Sequence, residues 1–244
     1  MTAISKARLV CPKYGRFYLP PKELRPCGDE FQDDKFYFDS ARNEAIRLRE
    51  RLGLSEKSSV LDVGCGVGRL ATGIIDVFGE IHKYRGLDIC PCYIKWCRQF
   101  IASEHPEYQF ILLDMYNERY NKTGVRADSG INLSFSDGEF DIVYLYSVFS
   151  HMVKEDVEHY VKEFGRILAP EGKVFITAFI EEGVPEMTIN PENYRLNWNG
   201  ALHCVRYDKS YFERMLASNG FILDHFDYEK ETDGQSGLYI SKIG

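Results

Sequence analysis

The chain has 244 residues, 44% hydrophobic and 14% aromatic, which is enough apolar surface for one large globular domain and excludes disorder and collagen-like repeats. Its 30 basic residues, against 37 acidic ones, are spread along the chain and leave a net charge of −7, so nucleic acid is not an expected partner. No run approaches the ~18 apolar residues of a spanning helix, and Lys6, Arg8, Pro12, Lys13 and Arg16 interrupt any leader-like core, so a cytoplasmic protein without a membrane partner is expected. The seven cysteines, at 11, 27, 65, 90, 92, 97 and 204, are an odd number in a chain of ordinary size and read as reduced thiols. Cys90, Cys92 and Cys97 lack a CxxC pair or a neighbouring His, and no metal site is expected.

In chain order, residues 1–39, rich in Pro and aromatics, are set apart as a cap segment from a main domain over 40–244. Ala41, Ala45, Leu48 and Leu52 share a helical face, with Ser40 placed to cap it and Gly53 to stop it. A strand over 59–63 leads through a glycine turn into a helix ending near Phe78. A strand over 84–89, a helix over 93–104 and a strand over 109–113 repeat the βαβ pattern. The fourth strand is expected over 140–146, then a helix over 154–168 closed by Pro170 and Gly172, and a buried fifth strand over 173–179. A helix over 208–219 and an antiparallel hairpin of 221–228 with 238–243 complete an α/β, doubly wound three-layer sandwich. The connection 181–207 carries Pro185, Pro191 and Trp198 and is longer than such folds need, as a lid over an acceptor would be.

Residues 60–69 read VLDVGCGVGR, an apolar strand running into Gly64, Gly66 and Gly68. A dinucleotide turn is spaced GxGxxG; this one is GxGxG, with Asp62 two residues before the first glycine. A carboxylate there would repel a pyrophosphate but suits a ligand with an ammonium group, as in S-adenosylmethionine. Asp88 in GLDI stands where a ribose diol needs an acceptor, and Asp114 in LLDMY is placed to accept from an adenine amine, with Met115 against the ring. Each acid alone would more simply cap a turn; three at successive strand ends beside the glycines favour a binding site.

VLDVGCGVGR, GLDI, LLDMY, FDIVYLYSVFSHM and EFGRILAPEGKVFITAF, in this order over about residues 55–180, together resemble the motifs of class I S-adenosylmethionine-dependent methyltransferases. The resemblance implies a Rossmann-like fold whose seven-stranded, mostly parallel sheet ends in an antiparallel strand. It also implies S-adenosyl-L-methionine as cofactor and S-adenosyl-L-homocysteine as product. Asp62 and the turn at Gly64, Cys65 and Gly66 would hold the methionine moiety, Asp88 the ribose, Ile89 and Met115 the adenine faces, and Asp114 the adenine amine. Ser147 would lie beside the methionine end. Glu171 precedes Gly172 where many relatives have two glycines, a minor departure.

Methyl transfer needs an aligned nucleophile and a group to take its proton. His151, in SVFSHM near the end of strand four, is the candidate base, with a hydrogen-bonded structural role as the alternative. Tyr37 from the N-terminal segment and Tyr194, Arg195, Trp198, His203 and Arg206 from the lid are the candidate acceptor contacts; a loop with its own small aromatic core is the plainer role for the lid residues. No NPPY-like base-methylation motif follows strand four, and only Asp141 is near enough to serve a metal-dependent catechol mechanism, at the wrong end of its strand. The expected acceptor is an oxygen or nitrogen of a small molecule, a sugar or secondary metabolite among the candidates. A nicotinamide-dependent oxidoreductase and a noncatalytic binding protein are the alternatives, and the sequence leaves the oligomeric state open.

Overall fold

In the computed structural model, residues 12–26, 28–126 and 131–243 are described. Cys11, Cys27 and the first eleven residues of the N-terminal segment lie outside them. A hairpin of β1 (Lys13–Tyr14) and β2 (Phe17–Tyr18) precedes α1 (Asp34–Leu52). There follow β3 (Ser59–Val63), α2 (Arg69–Phe78), β4 (Lys83–Asp88), α3 (Pro91–Cys97), β5 (Tyr108–Leu112) and β6 (Phe140–Leu145). The C-terminal half holds α4 (Lys154–Ile167), β7 (Leu168–Glu181), β8 (Met187–Ile189), β9 (Val205–Asp208), α5 (Lys209–Ser218), β10 (Phe221–Asp227) and β11 (Ser236–Lys242).

The main path of the sheet runs β10-β11-β7-β6-β3-β4-β5. β11 is antiparallel to both of its neighbours, and the pairs from β7 to β5 are parallel. This is the expected α/β, doubly wound sandwich with a mostly parallel sheet and an antiparallel last strand. Besides the β1–β2 hairpin, two short strands were not anticipated: β9 pairs parallel with β7, and β8 pairs antiparallel with β9. At three and four residues they are too short to carry a readable period.

α1 begins at Asp34, not at Ser40. Asp33 Oδ1 accepts from the Phe36 N–H at 2.8 Å as a side-chain cap, whereas the Ser40 hydroxyl lies within the helix and donates back to the Tyr37 carbonyl. The expected boundary at residue 39 therefore falls inside one helix. α2 crosses α1 so closely that a Cβ on Gly73 would lie 1.9 Å from the Ala41 carbonyl oxygen. Beyond α4, the 170–172 stretch is a bulge within β7, since Phe140 pairs with Leu168 but Ile142 with Lys173. Glu171 takes φ +29° there.

One face of the sheet packs Leu61, Val63, Val143 and Ile176 against α4 and α5, and the other packs Val60, Ile142 and Phe175 against α1 and α2. Among the described residues no helix is long and apolar enough to cross a membrane.

Strand alternation decides the fate of Asp62. It shares the face of Val60, beneath α1 and α2, and is 2% exposed. The Tyr84 hydroxyl donates to its Oδ2 at 2.5 Å, and burial pushes its pKa up to about 7. The folded state thus keeps a proton that the unfolded chain releases from about pH 4, and stability is lost as pH rises through about 7. Asp62→Asn retains an acceptor for Tyr84 and removes the titration. Urea melts should show the wild type losing up to about 1.4 kcal/mol per pH unit relative to this variant between about pH 4 and 7; a pH-independent difference would place the titration elsewhere.

Candidate functional site

The chain leaves β3 towards β4 on one side while β6 and β7 extend the sheet on the other, which opens a crevice at the carboxyl ends of β3 and β6. The glycine turn fills its floor. The N–H groups of Gly64 and Cys65 both donate to the Leu87 carbonyl, at 2.8 and 2.9 Å. Gly64 has φ +75°, and a Cβ there would lie 2.4 Å from Val148 Cγ2, so both backbone conformation and space demand glycine. Asp88, at the end of β4, accepts from Gly66 N at 2.9 Å and from Cys90 N at 2.8 Å, one donor per carboxylate oxygen. Burial raises its pKa and these backbone donors oppose the rise. The carboxylate thereby fixes the turn and the start of α3 and keeps lone pairs for a ligand.

A cavity of ≈ 350 Å³ lies above this turn. Of the residues expected from sequence, it brings together Gly64, Gly66, Asp88, Ile89, Ser147, His151, Trp198 and His203. Ser147 takes φ +57° just after β6 and is held on three sides. Its N–H donates to Thr177 Oγ1 at 2.7 Å, its Oγ accepts from Gln235 Nε2 at 2.8 Å, and Ser150 Oγ lies 3.2 Å away. Thr177 in turn donates to Gln235 Oε1 at 2.9 Å.

His151 closes a short 3₁₀ turn, and its Nδ1 lies 3.0 Å from the Leu202 carbonyl oxygen. A carbonyl accepts, so Nδ1 carries the hydrogen and Nε2 is the lone-pair nitrogen of a neutral ring. Burial, aided by the charge of Arg119, lowers its pKa to about 4. The ring is thus a proton acceptor that stays unprotonated at neutral pH.

The remaining expected residues lie elsewhere. Asp62 faces a separate void of ≈ 40 Å³ behind the turn, which Cys65 and Tyr37 also line. Cys65 is buried with its thiol towards the Gly66 carbonyl, and Tyr37 packs under the Arg25 guanidinium, 1% exposed. Asp114 is exposed and accepts from Asn121 Nδ2, while Met115 bridges to Val125 and packs on the main core. Chain reversal after β5 turns both away from the cavity, and Leu113 takes the wall position. Arg195 pairs with Glu181 and Glu229, Arg206 pairs with Glu181, and Tyr194 packs on Phe179 beside Cys204 and Trp198. Arg195 and Arg206 both lie over the Tyr194 ring, and the three are absent from the cavity lining, which Trp198 and His203 reach. Cys90 and Cys92 place their sulfurs 2.8 Å apart, whereas Cys97 is buried against the Gly66 carbonyl, so the three do not form one cluster.

Sequence reasoning missed Pro26, Tyr93, Asn117, Arg119, Tyr120, Tyr146 and Gln235 on the cavity wall. The loop residues 117–120 directly follow the LLDMY segment, and their position was the only available signal.

A methyltransferase-domain family profile matches residues 61–176. The sterol 24-C-methyltransferase erg6 of Aspergillus fumigatus is 28% identical over 169 residues, covering 68% of this chain and 39% of that protein. The chain spans half or less of the length of the curated relatives it matches. Geranyl diphosphate C-methyltransferase from Streptomyces coelicolor, solved with S-adenosyl-L-homocysteine, superposes with TM-score 0.59 at 14% identity over 91% of this chain and 88% of that one. A chain from the Haloferax volcanii complex of the Trm112 activator with a methyltransferase gives TM-score 0.61 at 19% identity over 86% and 93%.

The His151 geometry has a direct consequence. Ring-proton NMR should show one histidine titrating near pH 4, against about 6.5 for an exposed imidazole. Because the folded-state value is depressed, the stability this ring contributes is complete above about pH 6.5 and lost as pH falls towards 4. An ordinary midpoint for His151 would contradict the buried, Leu202-bonded placement.

Proposed function

The chain belongs to the class I S-adenosylmethionine-dependent methyltransferases, and from that premise we propose that it methylates a hydroxyl or amine of a small molecule held between His151 and the 181–207 lid. The carrying observation is that one cavity joins the Asp88-braced glycine turn to a neutral His151. Its ≈ 350 Å³ falls in the usual range for small-molecule sites. The residues present fit the donor: Asp88 offers a bidentate acceptor suited to a ribose diol, and Gly64 leaves no side chain between backbone and ligand.

When bound, S-adenosylmethionine supplies an electrophilic methyl carbon on a cationic sulfur. The chain's own residues align the acceptor, exclude water and take a proton. Positioning of this kind is worth about 7–11 kcal/mol. His151 Nε2 accepts the proton of the attacking hydroxyl or amine, while Leu202 holds the ring by Nδ1–H. General-base help of this sort contributes about 10²- to 10⁴-fold. Trp198 and His203 close the cavity from the lid, and Pro26 from the N-terminal segment abuts the turn at Gly66. On this reading the described part of residues 1–39 and the 181–207 stretch are two covers on a catalytic domain over 40–244, the first sharing α1 with it. The free thiols of the described cysteines support a cytoplasmic setting.

Two variants test the assignment. Asp88→Ala should weaken S-adenosylhomocysteine binding at least tenfold, about 1.4 kcal/mol, by calorimetry; unchanged affinity would remove the ribose role. His151→Ala should keep that affinity and lower transfer of labelled methyl to hydroxyl and amine acceptors by about 10²-fold or more. Undiminished transfer would return His151 to a structural role.

A further inference from the structure

Arg119 is a cation on the cavity wall with which no acidic side chain among the described residues forms an ion pair. It sits in the turn after β5 that Asn117 organises: Asn117 Oδ1 accepts from the N–H groups of Arg119 (2.9 Å) and Tyr120 (3.1 Å), and its Nδ2 donates to the His151 carbonyl at 3.0 Å. The base and the cation therefore ride on one hydrogen-bonded frame. The guanidinium lies over the Tyr120 ring, 5.3 Å from its centroid, and a Cβ on Gly200 of the lid would come within 3.9 Å of its Nη1.

Arg119 Nε is buried and has no hydrogen-bond partner. Among the described residues no acidic side chain forms an ion pair with Arg119, whereas Arg195 and Arg206 of the lid are both tied to Glu181. Neither carboxylate among the described wall residues, Asp88 or Asp233, forms an ion pair with it, and Asp88 accepts instead from the Gly66 and Cys90 N–H groups. A buried, unpaired donor costs about 1–3 kcal/mol, and more when charged. The planar fork of a guanidinium is matched to two oxygens of one carboxylate or phosphate.

We infer that the methyl acceptor carries an oxyanion, a carboxylate or a phosphate, and that its pairing with Arg119 selects it. The inference rests on the methyl-transfer reading of this cavity. It also couples selection to the base, because Arg119 is one of the charges that hold the His151 pKa down. An anion on the guanidinium offsets that charge and lets the imidazole become more basic where it is needed.

The test uses the full chain loaded with S-adenosylhomocysteine, titrated separately with inorganic phosphate and with acetate against sodium chloride at matched ionic strength, while the His151 ring protons are followed by NMR. At least one oxyanion should bind saturably and shift the His151 titration upward. Phosphate alone would indicate a phosphate ester as acceptor, and acetate alone a carboxylic acid. Arg119→Gln should weaken the response at least tenfold and Arg119→Lys should retain part of it, with S-adenosylhomocysteine affinity within twofold of wild type in both. Three results would overturn the inference: no saturable response to either anion, a response undiminished in Arg119→Gln, or a tenfold loss of S-adenosylhomocysteine affinity in that variant, which would assign Arg119 to the donor's own carboxylate. Failure of the wild type to bind S-adenosylhomocysteine would instead sink the reading of the cavity itself, so the two failures are distinguishable.

Discussion

The Asp88 carboxylate is the constraint on which the site depends. By accepting from Gly66 N and Cys90 N at once, it ties the loop after β3 to the helix after β4. Without that bridge the two chain segments at the switch point would have no common polar partner, and the crevice would have no floor. The shared Leu87 carbonyl, which receives both Gly64 and Cys65, completes the same joint from the backbone. Held this way the carboxyl group is half-buried, its pKa raised by burial against the pull of the backbone donors, and it still lines the cavity where a diol can reach it.

Charge elsewhere is arranged so that the cavity keeps few ions of its own. The lid's arginines are neutralised within the lid and its neighbours, Arg195 by Glu181 and Glu229 and Arg206 by Glu181. Asp62 is sealed beneath α1 and α2 on the Tyr84 hydroxyl. His151 is held neutral by burial. Polar control of the remaining wall passes to the closed ring of Ser147, Thr177 and Gln235, which links β6, β7 and the β10–β11 connection. Ser147 keeps its left-handed backbone because both its N–H and its hydroxyl are engaged there.

What was legible in the sequence followed the strength of local signals. Strands β3, β6 and β7 carry apolar runs with turn residues nearby, and Gly64, Gly66, Asp88, Ser147 and His151, at or after the carboxyl ends of β3, β4 and β6, line the cavity. Asp62 lies behind the turn because of strand parity: a strand buried on both faces looks uniform in sequence, and nothing local reveals that the face it shares with Val60 lies under α1. Asp114 and Met115 lie off the cavity wall because the chain reverses through a loop pinned by Asn117 and Asn121, and such tertiary hydrogen bonds have no periodic trace. Tyr194, Arg195 and Arg206 take partners that sequence spacing does not announce: Phe179 and Glu181 on β7, and Glu229 beyond β10. The start of α1 was hidden because Tyr37 and Phe38, which extend its buried face, read as part of an aromatic-rich irregular stretch.

The central claim is that the adenosyl ligand seats on the turn between β3 and α2 with its sugar on Asp88. A crystal structure of the protein with S-adenosylhomocysteine measures this directly. The account predicts the ribose hydroxyl oxygens at about 2.6–3.0 Å from the Asp88 carboxylate, and the sulfur within the cavity shared with His151. Density for the ligand at any other surface, or a sugar turned away from Asp88, would contradict it.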